Sequence, residues 1–244
     1  MFNKVIKIIL ILSFSTPAFS DTVHLTSLTW PPYSGKALNE QGASVAVAKA
    51  AFKAMGHELK VDFFPWSRAV KLASEPDSKY AGYFPEYYYE SNEFSFSNPM
   101  GKGPLGVIEN KKKPIVWSAV KDLTQYKIGV VQDYVNTAEV DALIASGEIK
   151  AQTATSDETN IRKVAGGRID AAVIDTNVFS YLLANSKDLE KAQEQVQMNV
   201  KLLTEKELFV AFKKSAEGQK WLAIYNEGLK KIDITAVMKK YLNE

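Results

Sequence analysis

Residues 82–99 read GYFPEYYYESNEFSFSNP, and this stretch carries a signal for the fold and a signal for a binding site. Its end, Phe96-Ser97-Asn98-Pro99, is typical of a strand that gives way to a turn, because proline cannot continue a strand ladder. Its middle holds four tyrosines and three glutamates. Aromatic ring faces and carboxylates both attract cations, so the stretch favours a ligand site and leaves the ligand open.

The first twenty residues are expected to be a cleavable leader. Lys4 and Lys7 give the chain a positive start, and the apolar run over residues 6–14 is too short to cross a bilayer as a helix. Ala18-Phe19-Ser20 then places small residues where a signal peptidase requires them. We therefore expect residues 1–20 to be a signal peptide and the mature protein to begin at Asp21 in the periplasm. The alternatives are a buried N-terminal helix and an uncleaved membrane anchor.

Composition excludes several classes of partner and of site. Removing residues 1–20 takes two lysines from the 30 basic residues and leaves 28 against 28 acidic ones. A balanced charge produces no field of one sign, so we expect no nucleic acid partner and no binding to a membrane surface. The chain has no cysteine, which excludes disulfides and thiolate metal sites. With only two histidines, far apart in sequence, neither a metal site nor a cofactor is expected.

Strand and helix patterns alternate along the rest of the chain. Strands are predicted over residues 23–29, 59–63, 128–131, 171–174 and 207–212, and helices over 43–55, 65–73, 137–145, 155–164, 177–184, 217–229 and 234–242. Helix ends are marked by Gly56 as a C-terminal cap, by Pro65 in a first turn and by a capping box over 155–158. Strands that alternate with helices predict an α/β fold with mainly parallel sheets.

Four segments, in their order and spacing, resemble the bacterial extracellular solute-binding proteins of family 3, the periplasmic receptors of amino-acid ABC transporters. They are Trp30-Pro31-Pro32-Tyr33, Phe96-Ser97-Asn98-Pro99, Ile128-Gly129-Val130-Val131, and the stretch GRIDAAVID over 167–175. The resemblance covers essentially the whole chain after the leader.

The resemblance implies a fold like that of the type II periplasmic binding proteins, in which two α/β lobes joined by a two-stranded hinge enclose a ligand cleft. The first lobe would comprise residues 21–109 and 206–244, and the second residues 110–205. The chain would cross the hinge near 107–111 and near 203–207. In open α/β sheets ligands bind beyond the carboxyl ends of the strands, so residues that follow strands become the candidates.

Three candidates follow the first and the fourth predicted strands. The resemblance implies that Trp30 and Tyr33 form an aromatic wall of the cleft, against which apolar or cationic parts of a ligand pack. The alternative is that these rings only cover the core. Asp175 matches the family aspartate that pairs with a ligand ammonium group. It also stands where an N-cap of the helix from Asn177 is expected, and the two roles are compatible.

Further candidates lie on the loop 132–137 and at the start of the second helix. In the family this loop holds a ligand carboxylate, which makes Tyr134 and Asn136 candidates, although the usual Gly-Thr or Gly-Ser pair is absent. Trp66 and Arg68 form a Trp-x-Arg group that resembles a subset of the family. Arg68 is either a carboxylate-binding residue or a surface arginine on a first turn.

The opening stretch departs from the family at Glu90. Counting back six residues from Phe96 reaches, in the family, the arginine that holds the α-carboxylate of an amino acid, and a glutamate cannot do so. Either Arg68 replaces it or the ligand has no carboxylate there. Phe84, Tyr87 and Glu90 complete the candidate set, and Glu86, Glu90 and Asp175 beside these rings would suit a cation. The alternative for residues 87–89 is an exposed loop.

The function expected from this resemblance is the capture of a small polar solute, an amino acid or a related amine, and its delivery to the permease of an ABC transporter. We expect a monomer that is not an enzyme. One alternative is a receptor that reports to a sensor kinase or chemoreceptor. The other is a dehydratase on the same fold, in which Glu86 or Glu90 acts as general acid or base.

Overall fold

The computed structural model describes residues 21–242 of the chain. The predicted signal peptide lies outside the described residues. Within them, no helix is both long enough and apolar enough to cross a lipid bilayer.

The strands of the described chain, in order, are β1 (Thr22–Ser27), β2 (Glu58–Phe63), β3 (Gly82–Glu86), β4 (Phe94–Phe96), β5 (Gly101–Asn110), β6 (Ile128–Val131), β7 (Gln152–Ala154), β8 (Ala171–Asp175), β9 (Val196–Met198) and β10 (Thr204–Lys213). The α-helices are α1 (Ala43–Ala54), α2 (Trp66–Ser74), α3 (Ala138–Ala145), α4 (Asp157–Ala165), α5 (Thr176–Asn185), α6 (Glu190–Gln193), α7 (Ala216–Leu229) and α8 (Ile234–Leu242).

Every strand and helix predicted from the sequence has a counterpart, and the mixed α/β class is confirmed. The predicted capping box at the start of α4 is wrong by one residue. Ser156, not Thr155, is the N-cap, and its side chain accepts the backbone N–H of Thr159 at 3.3 Å. Glu158 instead pairs with Arg162 one turn later, at 2.5 Å. This i,i+4 ion pair takes the carboxylate away from the helix N-terminus.

The strands form two parallel groups joined by two long antiparallel strands. The order across the sheet is β2-β1-β3-β10-β5-β8-β6-β7, with β4 added on β10 and β9 added on β5. β1 pairs in parallel with β2 and β3, and β6 pairs in parallel with β7 and β8. We call β1–β4 with α1, α2, α7 and α8 the first lobe, and β6–β9 with α3–α6 the second lobe.

β5 and β10 connect the two lobes. They pair with each other over residues 101–105 and 204–208. Beyond this ladder β10 pairs with β3 and β4, whereas β5 pairs with β8 and β9. Each strand therefore runs from one lobe into the other. The predicted crossing at 203–207 overlaps the ladder and the one at 107–111 follows it along β5. The lobe boundaries by residue stay a prediction.

The parallel strands of both lobes direct their carboxyl ends at one region between the lobes. In the first lobe, β1 leads to Trp30 and β3 ends at Glu86. In the second, β6 leads to Tyr134, β7 leads through the N-cap of α4 to Asp157, and β8 ends at Asp175. Residues that are distant in sequence meet there because parallel strands of one sheet end at the same edge.

Candidate ligand-binding cleft

Tyr33 and Asp175 join the two lobes across the cleft. The Tyr33 hydroxyl donates to Asp175 Oδ2 at 3.1 Å and lies 3.3 Å from Oδ1, and both residues are buried. Asn177 Nδ2 donates to the same hydroxyl oxygen at 2.7 Å. Asp175 is also the N-cap of α5, because its Oδ1 accepts the backbone N–H of Asn177 and of Val178. The N-cap alternative is thus observed together with a contact across the cleft.

A second contact between the lobes involves the start of α2. The indole N–H of Trp66 donates to the carbonyl of Asp133 at 3.0 Å, and the Ser67 hydroxyl donates to the Asp133 carboxylate. The ring of Trp66 meets that of Tyr134 edge to face at 6.0 Å. Asp133 has φ 62°, a left-handed conformation that aspartate tolerates better than most residues. With the Tyr33–Asp175 hydrogen bond, these contacts connect the two lobes on either side of the cleft.

An open groove runs between the lobes and leads inward to two small cavities. The groove has a volume of about 480 Å³ and is lined by both lobes, among others by Phe64, Trp66, Trp30, Tyr134 and Asp157. This volume lies in the range of small-molecule sites. The inner cavities measure about 20 and about 10 Å³, so each has room for about one water. Asp157 lines both the groove and the smaller cavity.

Aromatic rings fill the inner end of the cleft. Trp30 stacks on Tyr33 at 4.6 Å and meets Tyr87 edge to face at 6.1 Å. Two polar groups in this cluster, the Tyr87 hydroxyl and the Trp30 indole N–H, are buried without a hydrogen-bond partner. The indole N–H faces Asp157 but does not reach hydrogen-bonding geometry. Because an unpaired buried polar group costs free energy, these two groups are suited to a ligand.

Three carboxyl groups are buried in the cleft, and burial raises the pKa of each. The pKa of Glu86 rises to about 8, although the backbone N–H of Tyr87 at 2.7 Å opposes the shift. The pKa of Asp157 rises to about 7 through burial and through the charge of Asp175. The pKa of Asp175 also rises to about 7 through burial, against the N–H donors of α5. These groups hold their protons up to near-neutral pH while the cleft is closed.

The phenols of the cleft keep their protons, because burial raises the pKa of Tyr33, Tyr87 and Tyr134. One basic group lies close to the acids, on the hinge strand β10. Lys206 is half-buried, and its Nζ lies 4.8 Å above the centre of the Tyr87 ring. Burial lowers the pKa of Lys206, against the charges of Asp141 and Glu86. Within residues 21–242 no group of three or more acidic or histidine side chains is arranged to hold a metal ion.

The structure brings most of the predicted site residues together. The groove and the inner cavities are lined by Trp30, Trp66, Tyr87, Tyr134, Asn136 and Asp175. Tyr33 joins them through its contact with Asp175, and Asn136 is held by Asp141 Oδ1 at 2.7 Å. Besides Tyr33, three predicted residues do not line these spaces.

Phe84, Arg68 and Glu90 are those three residues. Phe84 is fully buried among the core residues. Arg68 is exposed and lies 5.2 Å from the centre of the Phe64 ring, on the first turn of α2. Glu90 is exposed because the chain leaves the sheet after β3, at Glu86.

Asp157 was absent from the predicted set. The sequence signal that could have identified it is its position just after a short strand and an N-cap. The same rule, that ligands bind beyond the carboxyl ends of strands, identified Asp175.

Comparisons with known proteins place the fold. The chain matches no protein-family model and no curated protein sequence. A histidine kinase sensor domain with similarity to periplasmic binding proteins has a TM-score of 0.75 at 17% identity, over 90% of this chain and 93% of that one. The substrate-binding protein of an amino acid ABC transporter has a TM-score of 0.68 at 16% identity, over 91% and 97%.

A third solved structure has the same fold. It is an ancestral amino acid-binding protein, a precursor of cyclohexadienyl dehydratase, with a TM-score of 0.68 at 20% identity, over 91% of this chain and 93% of that one. The fold is therefore that of the periplasmic binding proteins, as predicted. At these identities the likeness establishes the fold and does not select among a binding protein, a sensor domain and an enzyme.

Proposed function

We propose that the protein is an exported solute-binding protein that captures an amino acid or a related amine between its lobes and delivers it to the permease of an ABC transporter. The observation that supports this most directly is the groove of about 480 Å³ between the lobes. Carboxyl groups and aromatic rings of both lobes meet at its inner end. We propose the lobe boundaries 21–109 with 206–244, and 110–205, and a monomer that works in the periplasm.

Capture in this proposal is a shift between open and closed lobes. The contacts Tyr33–Asp175 and Trp66–Asp133 form only when the lobes meet. A solute in the groove stabilises the closed form by the difference between its affinities for the two forms. Asp157 and Asp175, which line the same inner cavity, attract the ammonium group, and Trp30 and Tyr87 cover it. Neither covalent chemistry nor a metal is required, and the closed lobes are what a permease would recognise.

A receptor for a sensor kinase would use the same closed lobes, so the two roles differ in the membrane partner and not in the cleft.

The dehydratase alternative has one specific observation in its favour. Glu86 is buried with a pKa raised to about 8, and a general acid must carry its proton at neutral pH. Product formation from prephenate-like acids, lost in Glu86→Gln, would replace the binding proposal with an enzyme.

A thermal-shift screen of amino acids, polyamines and small acids tests the proposal. A solute that binds only the folded protein stabilises it by about 2.7 kcal/mol at one hundred times its Kd. Hits are then titrated by calorimetry against the wild type, Asp175→Asn and a control, Asp188→Asn. Asp188 is an exposed acid of the second lobe, so the control removes the same charge away from the cleft. If no compound binds, or if both variants bind alike, the proposed site is wrong.

A further inference from the structure

We infer that the solute is an organic cation without a carboxylate group, whose ammonium lies beside Asp157 at the inner end of the groove. This inference rests on the proposed function and narrows its substrate class. It is carried by the charges that line the groove, by the position of Asp157 and by the rings around it.

Among residues 21–242, no basic side chain lines the groove. Its charged lining residues are Asp157 and Glu158, and Glu158 already pairs with Arg162. The three arginines of the sequence, Arg68, Arg162 and Arg168, are all exposed. A ligand carboxylate in this groove would lose hydration without gaining an opposite charge, which is unfavourable.

Lys206 does not change this balance. It does not line the groove, and its Nζ lies above the ring of Tyr87. The acidic groups that act on it are Asp141 and Glu86.

Asp157 has the contacts expected of a residue that binds a cation. It is buried at the first position of α4 and lines both the groove and the inner cavity that Asp175 also lines. The two carboxyl groups are near enough for the charge of one to raise the pKa of the other. An ammonium group beside Asp157 removes this repulsion, and one or both carboxyl groups then release a proton.

Aromatic rings complete the binding site for a cation. Trp30, Trp66 and Tyr134 line the same groove as Asp157. Ring faces attract ammonium groups most strongly when water is excluded, and tryptophan does so best. The described residues offer no cluster for a metal ion, whereas rings suit an alkyl ammonium.

Matched pairs of probes test the inference by isothermal titration calorimetry. Putrescine, cadaverine and agmatine are compared with ornithine, lysine and arginine, which differ from them by the α-carboxylate. We expect at least one amine to bind roughly 10-fold or more tightly than its parent amino acid. If a parent amino acid binds as well or better, this inference is wrong while the proposed function stands. If no amine or amino acid binds at all, both are wrong.

Asp157→Asn tests the residue assignment with the amine that binds best. We expect roughly a 10- to 100-fold loss of affinity, as for a charge-assisted contact, and no change in Asp188→Asn. Calorimetry at pH 6.5 in phosphate and in the zwitterionic buffer ACES, which differ in ionisation enthalpy, reports proton release, which we expect to be smaller in Asp157→Asn. A circular dichroism spectrum like that of the wild type verifies folding. Wild-type affinity and wild-type proton release in Asp157→Asn would overturn the assignment.

Discussion

The Tyr33 hydroxyl donates a hydrogen bond to Asp175 Oδ2, 3.1 Å away, and this contact joins the segment after β1 to the end of β8. Asp175 at the same time caps α5, and Asn177 from the first turn of that helix donates to the Tyr33 hydroxyl. Closure of the lobes and the N-terminus of α5 therefore share one buried network.

Tyr33→Phe is expected to shift the ligand-free protein toward the open form. The variant removes the hydrogen bond to Asp175 and the one accepted from Asn177, each worth about 0.5–1.5 kcal/mol, and leaves the ring stacked on Trp30. Small-angle X-ray scattering should report a larger radius of gyration. Tyr225→Phe is the control, because within residues 21–242 the hydroxyl of this buried tyrosine has one hydrogen-bond partner, the Met100 sulfur at 3.7 Å in the first lobe. An unchanged radius in Tyr33→Phe would contradict the closure role.

Gly103→Ala should open the cleft without changing either partner of the contact. Gly103 lies in the β5–β10 ladder, and a Cβ atom there would overlap the Asp175 carboxylate and the Tyr33 hydroxyl. We expect a larger radius of gyration and weaker ligand binding. Gly166→Ala is the control, because a Cβ at this exposed helix end comes no closer than 3.3 Å to the Arg162 carbonyl. A wild-type radius of gyration in Gly103→Ala would show that the contact between Tyr33 and Asp175 does not control closure of the lobes.

The same glycine explains why the sequence did not predict β5. The strand reads GKGPLGVIEN, and its glycines and proline are typical of a loop. Gly103 leaves space for Tyr33 and Asp175, and Gly106 leaves space for Leu202 and Met198. These requirements come from residues distant in sequence. By contrast, Ile128–Val131 was predicted because its apolar run is a local signal.

The sequence predicted correctly the site residues that directly follow a strand. It did not predict those whose position depends on the path of a loop. Trp30 follows β1, and Asp175 is the last residue of β8. Both were predicted because ligands bind beyond the carboxyl ends of the strands in open α/β sheets. Glu90 was selected by counting back from Phe96, but counting does not give the direction in which the chain leaves β3. Tyr87 packs on Trp30, and Glu90 remains at the surface.

Ser156→Ala should destabilise the protein, whereas Thr155→Ala should not. The Ser156 side chain accepts the N–H of Thr159, and such a cap contributes about 1 kcal/mol. Thr155 is exposed and outside the cap, so its replacement should stay within about 0.5 kcal/mol. Urea unfolding measures both free energies. If both variants lost the same free energy of unfolding, the result would favour the capping box over 155–158 that the sequence predicted.

The closed, ligand-free form should lose stability as the pH rises from 5 to 8. In the closed form the pKa of Asp157 and of Asp175 is about 7, against 3.8 for a solvated aspartate. The pKa of Glu86 is about 8, against 4.5 for a solvated glutamate. A raised pKa in the closed form adds stability that is complete below the solvated pKa and is lost as the pH passes the raised one. The charged or titratable neighbours are Asp175, Tyr87 and Tyr134 for Asp157; Asp157, Tyr33 and Tyr87 for Asp175; and Tyr83, Tyr134 and Lys206 for Glu86.

Each of the three carboxyl groups contributes up to about 1.4 kcal/mol per pH unit in this interval, as long as the cleft stays closed. Urea midpoints and radii of gyration at pH 5, 6, 7 and 8 measure the effect, and the radius should grow as the midpoint falls. Asp175→Asn should make both trends shallower, because an amide does not titrate while Glu86 and Asp157 still do, whereas Asp188→Asn should leave the trends unchanged. A midpoint that rises between pH 5 and 8 would mean that these carboxyl groups are already ionised in the closed form.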